Sequence, residues 1–147
     1  MIALLLAVAA QTSAVPATPA APAAPAGVLG PIGQQQLPAK GCAAYLWNPA
    51  DRQLVAMAVA DPATLRVSLG GRTLDLARSG GDGAGKLGFA DAIDYRRDDI
   101  SVRLSLEIVQ QDGLTAGARV PSGSLQIERP GQDSVVVPLA GLIGCRS

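Results

Sequence analysis

Hydrophobic and polar residues alternate along most of the chain between positions 42 and 145. The clearest stretch is 100–108, where every second residue is apolar: Ile100, Val102, Leu104, Leu106 and Ile108. This period of two is typical of a β-strand with one buried face and one face in water. It favours an antiparallel sheet, because strands of parallel sheets are usually apolar on both faces.

A first hairpin is predicted from two alternating segments, 65–69 and 72–76, which flank Gly70-Gly71. A Gly-Gly loop tolerates positive φ at both positions, as a two-residue hairpin requires. The predicted pairs are Leu69 with Arg72, Ser68 with Thr73, Val67 with Leu74, Arg66 with Asp75, and Leu65 with Leu76. This register opposes apolar residues on one face and opposite charges on the other. We therefore expect Leu65, Val67, Leu74 and Leu76 to be buried on one face.

A second hairpin is predicted to join 124–128 to 135–137. A loop of odd length places Ile127 opposite Val135 and Leu125 opposite Val137, whereas an even loop would oppose Glu128 and Asp133. The odd loop is favoured because it avoids that like-charge pair. Pro138 is then expected at a strand end or at a sheet edge, since proline cannot donate to a ladder.

The remaining elements complete an all-β prediction. Segments 43–47 and 53–60 read as strands, separated from each other and from the next strand by proline-containing turns. Residues Ser79 to Gly88 read as a glycine-rich loop, and Phe89 to Tyr95 fits either a strand or one helical turn. Seven or eight short strands predict a small antiparallel β-sandwich or β-barrel, and the pattern does not separate the two.

The amino-terminal region differs in composition from the rest. An apolar run of nine residues, Ile2 to Ala10, precedes the small residues of Thr12-Ser13-Ala14. This arrangement predicts a signal peptide at 1–14, although no Lys or Arg precedes the run, so the signal is weak or the true start lies upstream. The alternative is a buried N-terminal strand or helix. The run is about half the length of a transmembrane helix, so no integral membrane span is expected after cleavage.

Three segments follow from this division: the signal peptide at 1–14, a spacer at 15–41 and a β domain at 42–147. Residues 15–27 consist largely of Pro and Ala, which favours an extended polyproline II conformation. Residues 28–40 are expected to remain irregular.

Two cysteines, Cys42 and Cys145, lie near the two ends of the β domain. In an exported chain an even number of cysteines predicts a disulfide, here with one possible intramolecular pairing. Their Cα atoms are then expected about 4.4 to 6.8 Å apart. Two buried thiols and a redox pair are the alternatives, and the absence of Cys-x-x-Cys argues against a redox pair. Export implies a periplasmic or secreted protein.

Composition excludes several functions. The chain has 12 basic and 12 acidic residues, a net charge of +0 and no histidine. Nucleic-acid binding is therefore disfavoured, because no net positive charge attracts phosphates. The commonest general base and metal ligand is absent, so we predict no cofactor, no metal site and no catalytic residue.

Two motifs resemble ligand sites and fail on inspection. Residues 80–86 meet the spacing of a phosphate-binding loop, but Leu87 stands where a magnesium-binding Ser or Thr is required. The same glycines form one incomplete copy of a calcium-binding repeat, of which several copies are needed. The acidic residues Asp91, Asp94, Asp98 and Asp99 surround Arg96 and Arg97, which neutralise them, so a solvated turn is favoured over a metal or glycosidase site.

The segment 79–99 is the predicted partner-facing surface, because it combines glycines with charged and aromatic residues. The candidate partner-binding residues are Asp82, Lys86, Phe89, Asp91, Asp94, Tyr95, Arg96 and Arg97. A long solvated connection with no partner is the alternative. Tyr45 and Trp47 share a strand face and form either a binding patch or, as favoured, part of the core.

The first functional hypothesis is an exported, non-enzymatic interaction module that binds an unknown protein or an envelope component. It rests on the predicted export, the disulfide-closed β scaffold and the lack of catalytic machinery. The alternative is a carrier of a small apolar ligand inside a β-barrel, which needs a cavity among small core residues such as Ala56 and Ala58. An enzyme that uses Asp or Ser alone is the third, disfavoured hypothesis.

Overall fold

The computed structural model describes residues 28–147, which form nine β-strands and no helix. The strands are β1 (Leu29–Gly30), β2 (Gly41–Trp47), β3 (Leu54–Val59), β4 (Thr64–Leu69), β5 (Arg72–Asp82), β6 (Ala92–Arg97), β7 (Ile100–Val109), β8 (Gly117–Glu128) and β9 (Val135–Arg146). The all-β prediction is confirmed. Within 28–147 no helix has the length and apolarity that a membrane crossing requires. The predicted signal peptide at 1–14 and the Pro/Ala segment at 15–27 lie outside the described residues.

The strands β2 to β9 form one closed antiparallel barrel. Each strand pairs with the next along the chain, and β9 pairs back with β2. We call this last pairing the seam. A barrel of eight strands is even-numbered, so a meander of antiparallel neighbours brings its first and last strands together antiparallel. The structure thus selects the barrel over the sandwich.

The disulfide between Cys42 and Cys145 crosses the seam, as predicted. The two residues lie directly opposite each other in the β2–β9 ladder. Their backbone groups point away from the seam, since Cys42 O accepts from Ala60 N and Cys145 N donates to Ala116 O. Opposed residues in such a non-hydrogen-bonded pair have the shorter Cα separation, about 4.5 Å. The observed Cα separation of 4.0 Å lies below the predicted range, on the short side that this kind of pair favours. A disulfide is typical of an oxidising environment outside the cytoplasm.

The first predicted hairpin is confirmed in every pair of its register. Leu65, Val67 and Leu76 are fully buried, while Leu74 is only partly buried. On the outer face, Arg66 donates two hydrogen bonds to the carboxylate of Asp75, at 2.7 and 3.0 Å. This hydrogen bonding lowers the pKa of Asp75. Apolar residues therefore pair on the inner face of this hairpin and opposite charges on its outer face, as the sequence predicts.

The second hairpin also has the predicted register, with Ile127 opposite Val135 and Leu125 opposite Val137. The prediction that Pro138 ends a strand is wrong, because β9 continues through it to Arg146. Pro138 does lie at a local sheet edge. The pairing of β2 with β9 stops at Ala140, so Pro138 lies in a part of β9 that pairs only with β8.

The glycine-rich segment is more ordered than predicted. The strand β5 extends through Ser79 to Asp82, so only residues 83–91 connect β5 to β6. The ambiguous segment 89–95 resolves as the strand β6 from Ala92 onward. In the connection, the N–H groups of Lys86 and Phe89 donate to each other's carbonyl oxygens, at 2.8 and 2.9 Å. This closed turn directs Phe89 into the core, where it is 2% exposed.

The barrel interior is filled by its own side chains. The largest fully buried side chains, each less than 2% exposed, are Tyr95, Leu46, Leu65, Leu76, Ile93, Leu104, Leu125, Ile127, Leu139, Val67 and Val120. An eight-stranded barrel is just wide enough for side chains to fill it. Phe89, in the β5–β6 connection, packs against one end of this core. Leu29 of β1 pairs with Leu69 and packs against the opposite end of the core.

Residues 31–40 form a strap along the outside of the barrel. Ile32 N donates to Leu54 O at 2.9 Å, and Arg66 donates to the side chain of Gln35 at 2.9 Å. Two outward-facing residues on β2 and β3, Ala43 and Met57, are buried, at 0% and 7% exposure. The prediction that residues 28–40 are irregular is right for the strap and wrong for Leu29–Gly30, which forms β1.

Replacing both cysteines with alanine is expected to lower the free energy of unfolding by about 4 to 5 kcal/mol, because the disulfide closes a long loop in the unfolded chain. Urea unfolding of the oxidised protein and of C42A/C145A measures this difference. Reduced wild type should match the double variant, and a reductant should leave the double variant unchanged. A decrease in the free energy of unfolding of less than about 1 kcal/mol would show that the pairing of β2 with β9 is stable without the disulfide.

Gly85→Ala is expected to cost about 1 to 3 kcal/mol more than Gly70→Ala. Both glycines have nearly the same positive φ, 57° and 56°. A Cβ at Gly70 meets nothing within 4 Å, whereas one at Gly85 overlaps the carbonyl oxygen of Phe89. The pair of variants therefore separates packing from backbone conformation. Equal losses in urea unfolding would mean that the connection does not pack as described.

Candidate functional site

Polar side chains from four neighbouring strands meet on the outside of the barrel, on what we call the charged wall. Its members are Asp82 of β5, Asp94 and Arg96 of β6, Ser101 and Arg103 of β7, and Gln126 and Glu128 of β8. The register sets them in two rows across the strands. One row runs through Asp94, Arg103 and Gln126, and the other through Arg96, Ser101 and Glu128. Successive side chains of a strand alternate between its two faces. Because these strands bury their apolar residues inside the barrel, the polar residues between them lie outside.

Arg103 links two carboxylates of this wall. Its Nη1 donates to both oxygens of Asp94 at 2.9 and 3.0 Å, and its Nη2 donates to Asp82 at 2.6 Å. The hydrogen bond to Asp82, and then the charge of Asp94, raise the pKa of Arg103. The group is exposed, so this network contributes little to stability. It fixes the positions of three charged side chains on three strands.

A concavity of about 320 Å³ lies beside this network. It is lined by Ser79, Asp94, Tyr95, Arg96, Ser101, Val102, Arg103, Gln126 and Glu128. Arg96 and Glu128 stand on opposite sides of Ser101. Among the described residues Arg96 has no hydrogen bond or ion pair from its side chain, and Glu128 accepts one hydrogen bond, from Gln126 at 3.2 Å. The concavity is therefore lined by charges of both signs, of which Arg96 and Glu128 have no ion pair in the described chain while Asp94 and Arg103 are paired with each other.

Two of the predicted partner-binding residues are in the core instead. Phe89 and Tyr95 are 2% and 1% exposed, so neither ring faces a partner. Tyr95 alternates inward with Ile93 along β6, and Phe89 is turned inward by the closed turn of its connection. Burial raises the pKa of Tyr95 to about 12, against a smaller opposing effect of Arg78. The assignment of these two aromatic residues to a binding surface is wrong, because residue type did not reveal which face each residue occupies.

The other six predicted residues are more exposed, and three of them lie on the charged wall: Asp82, Asp94 and Arg96. Arg97 turns toward β5, where its Nη1 donates to Asp75 O at 3.3 Å. Lys86 and Asp91 line a separate groove of about 520 Å³. Lys86 Nζ donates to Ile108 O at 3.1 Å. The structure thus divides these six residues between different surfaces, and their role in binding stays a prediction.

Four wall residues were missed in the sequence: Ser101, Arg103, Gln126 and Glu128. Ser101 and Arg103 precede Gln126 and Glu128 by more than twenty positions in the chain. Only the pairing of β7 with β6 and β8 brings the four residues together. Their signal was the polar half of the alternating pattern, which marks an outer face. Among residues 28–147, no three His, Cys, Asp or Glu side chains are grouped as a metal site would require.

Tyr45 and Trp47 were expected in the core, and the structure places them on the outer face of β2, each partly buried. The hydroxyl of Tyr45 is buried without a hydrogen-bond partner in the described part of the chain. Burial also raises the pKa of this phenol, against a smaller effect of Arg146.

Comparisons with protein-family models, with curated proteins and with solved structures gave no match.

Tyr95→Phe is expected to remove a loss of stability at high pH. The pKa of Tyr95 is raised to about 12 in the folded protein, from an ordinary value of 10.0. Between these values the unfolded chain releases the proton while the folded protein keeps it, so the free energy of unfolding falls by up to about 1.4 kcal/mol per pH unit. Below pH 10 the contribution is fully present.

Urea unfolding of wild type and Y95F at several pH values from 8 to 12 measures this effect. The two proteins should differ in slope only above about pH 10, since the other titrating groups are common to both. Tyr45→Phe is the control. Its free energy of unfolding should still fall above about pH 10 by the amount that Tyr95 contributes. Parallel curves for wild type and Y95F would mean that Tyr95 is not buried as described.

Proposed function

We propose that this protein is an exported, non-enzymatic interaction module that binds a protein or an envelope component through its charged wall. The observation that carries the proposal is the difference between the inner and outer faces of the barrel. The inner face is occupied by the chain's own side chains, whereas the outer face of β5 to β8 has a polar concavity with ordered charges around it.

Export is supported by two independent features. The apolar run at Ile2 to Ala10 and the small residues after it have the form of a cleavable signal. The disulfide between Cys42 and Cys145 suits an oxidising compartment. A periplasmic or secreted location satisfies both features.

The filled interior weighs against the carrier hypothesis. A small-molecule pocket usually has a volume of about 300 to 1,000 Å³ and encloses most of its ligand. The central side chains of this barrel, such as Leu65, Leu104 and Leu125, are 0% exposed, so no water-sized space adjoins them. Phe89 and Leu29 add packing at the two ends. A carrier would have to unpack this core to admit a ligand.

The charged wall has the chemistry of a recognition surface. Arginine is enriched at the energetic centres of interfaces, and arranged charges of both signs give specificity more than affinity. Arg103 is held by Asp94 and Asp82, so its neighbours Arg96 and Gln126 flank a fixed group. Ordering such a surface before a partner arrives lowers the entropic cost of binding.

Site-specific photo-cross-linking in the native host tests the proposal. A photoreactive residue at Gln126, inside the concavity, should give a protein or envelope-component adduct of one defined mass. The matched control is Arg119, which is exposed on the same strand and does not line the concavity. Adduct formation at Gln126 alone is the expected result, because a partner on the charged wall covers that position. Equal adducts at the two positions, or none at either, would contradict it.

A further inference from the structure

Two Asp-Gly dipeptides occur in the chain, Asp82-Gly83 and Asp112-Gly113. In such a dipeptide the backbone nitrogen of the glycine can attack the side-chain carboxyl carbon of the aspartate. Glycine favours this attack, because it has no Cβ to hinder the nitrogen or to restrict rotation of the peptide plane. The chain therefore carries two copies of one reactive sequence in two different structural settings.

Asp112 and Gly113 form the corner of an exposed turn between β7 and β8. Leu114 N donates to Gln111 O at 3.0 Å across this turn, and Gly113 has a φ of 87°. Every residue from 110 to 116 is exposed. In the part of the chain that the structure describes, the carboxylate of Asp112 has neither an ion pair nor a hydrogen bond. A Cβ built at Gly113 meets nothing within 4 Å, so the reacting atoms can approach each other without losing a contact to the barrel.

Asp82 is also exposed to solvent, but it is held in place. It lies in β5, opposite Ala92 of β6. Its carboxylate accepts a hydrogen bond from Arg103 Nη2 at 2.6 Å. A Cβ built at Gly83 would overlap the side chain of Asp91, so the main chain is closely packed at this point. Attack by the nitrogen of Gly83 therefore requires loss of the bond from Arg103 and local opening of the strand end.

We propose that Asp112 isomerises spontaneously to isoaspartate in the folded protein, and that the bond from Arg103 helps to protect Asp82 from the same reaction. The nitrogen of Gly113 forms a bond to Cγ of Asp112, while the bond from Cγ to one carboxyl oxygen breaks. That oxygen leaves as water, with the proton of the Gly113 N–H and the proton of the carboxyl group, and a five-membered succinimide remains. Water then opens the ring at either carbonyl carbon. Opening at Cγ restores aspartate, and opening at the main-chain carbonyl carbon gives isoaspartate of unchanged mass.

The product changes the main chain in a region that the barrel core does not use. Isoaspartate inserts one methylene group between residues 112 and 113 and leaves the α-carboxylate as the side group. Because residues 110–116 are all exposed, the core is expected to remain as it is. The isoaspartate fraction at 112 therefore increases with the age of a molecule, whereas the fraction at 82 reports whether the bond from Arg103 is in place. Both effects are independent of the partner proposed for the charged wall.

Ageing of the oxidised protein at neutral pH and physiological temperature tests the proposal. Electron-transfer mass spectrometry distinguishes isoaspartate from aspartate in peptides of the same mass. We expect isoaspartate to form about tenfold faster at 112 than at 82, because a charge-assisted hydrogen bond and strand pairing protect Asp82. In concentrated urea, with the disulfide reduced, the two sites should react at similar rates, since the unfolded chain offers neither protection.

Two variants separate the contributions. Asp112→Glu keeps the charge but would need a six-membered ring, so it should form no measurable product at 112. Arg103→Ala should raise the rate at 82 about threefold, since an exposed charged pair contributes little, and should leave the rate at 112 unchanged. The thermal midpoint of each variant should match that of wild type, because each substituted side chain lies on the surface.

Equal rates at 82 and 112 in the folded protein would overturn the proposal. It would also be overturned if the folded protein formed no isoaspartate at 112 over a period in which the urea-unfolded chain does. An unchanged rate at 82 in folded Arg103→Ala would contradict the protective role of Arg103.

Discussion

The pairing of β2 with β9 is the constraint on which the rest of the structure depends. Without it the meander β2 to β9 would be an open sheet with two unpaired edges, and its apolar face would have no second layer to cover it. Closure pairs the backbone groups of both edges and turns the apolar face into an interior. The disulfide between Cys42 and Cys145 joins the same two strands, so covalent and hydrogen-bonded closure coincide. In the unfolded chain these residues are 103 positions apart, which is why the bond restricts the unfolded state so strongly.

Closure also determines which face is available for the proposed recognition. Eight strands give an interior that side chains can fill, and here they do so to the point that the central leucines have no exposed surface. Each strand then has only its outer face for other purposes. On β7, Leu104 contributes to the core while Arg103, its neighbour in sequence, organises the carboxylates of Asp94 and Asp82 outside. The alternation of the strand therefore separates the core residues from the charged residues to which binding is proposed.

Sequence reasoning succeeded where the determinants are local. The hairpin at 65–76 has a two-residue loop and two faces that match in only one register, so neighbouring residues specify it. The disulfide had one possible pairing. Reasoning failed where the outcome depends on strands far apart in sequence. The burial of Phe89 and Tyr95 follows from the position of their strand and connection in the closed barrel, and aromatic residues beside charges looked equally suited to an interface. Three of the seven members of the charged wall were anticipated, Asp82, Asp94 and Arg96, whereas Arg103 and Glu128 join them only through the ladders of β6, β7 and β8.

Amide hydrogen exchange at the seam tests closure most directly. Cys42 and Cys145 direct their backbone groups away from the seam, so the alternating residues Ala43, Tyr45, Leu142 and Gly144 direct theirs across it. In a closed barrel, with the disulfide intact, these amides should exchange as slowly as those that join β7 to β8 in the middle of the meander. Rapid exchange at the seam alone, with protection kept between β7 and β8, would show an open sheet and would contradict the account.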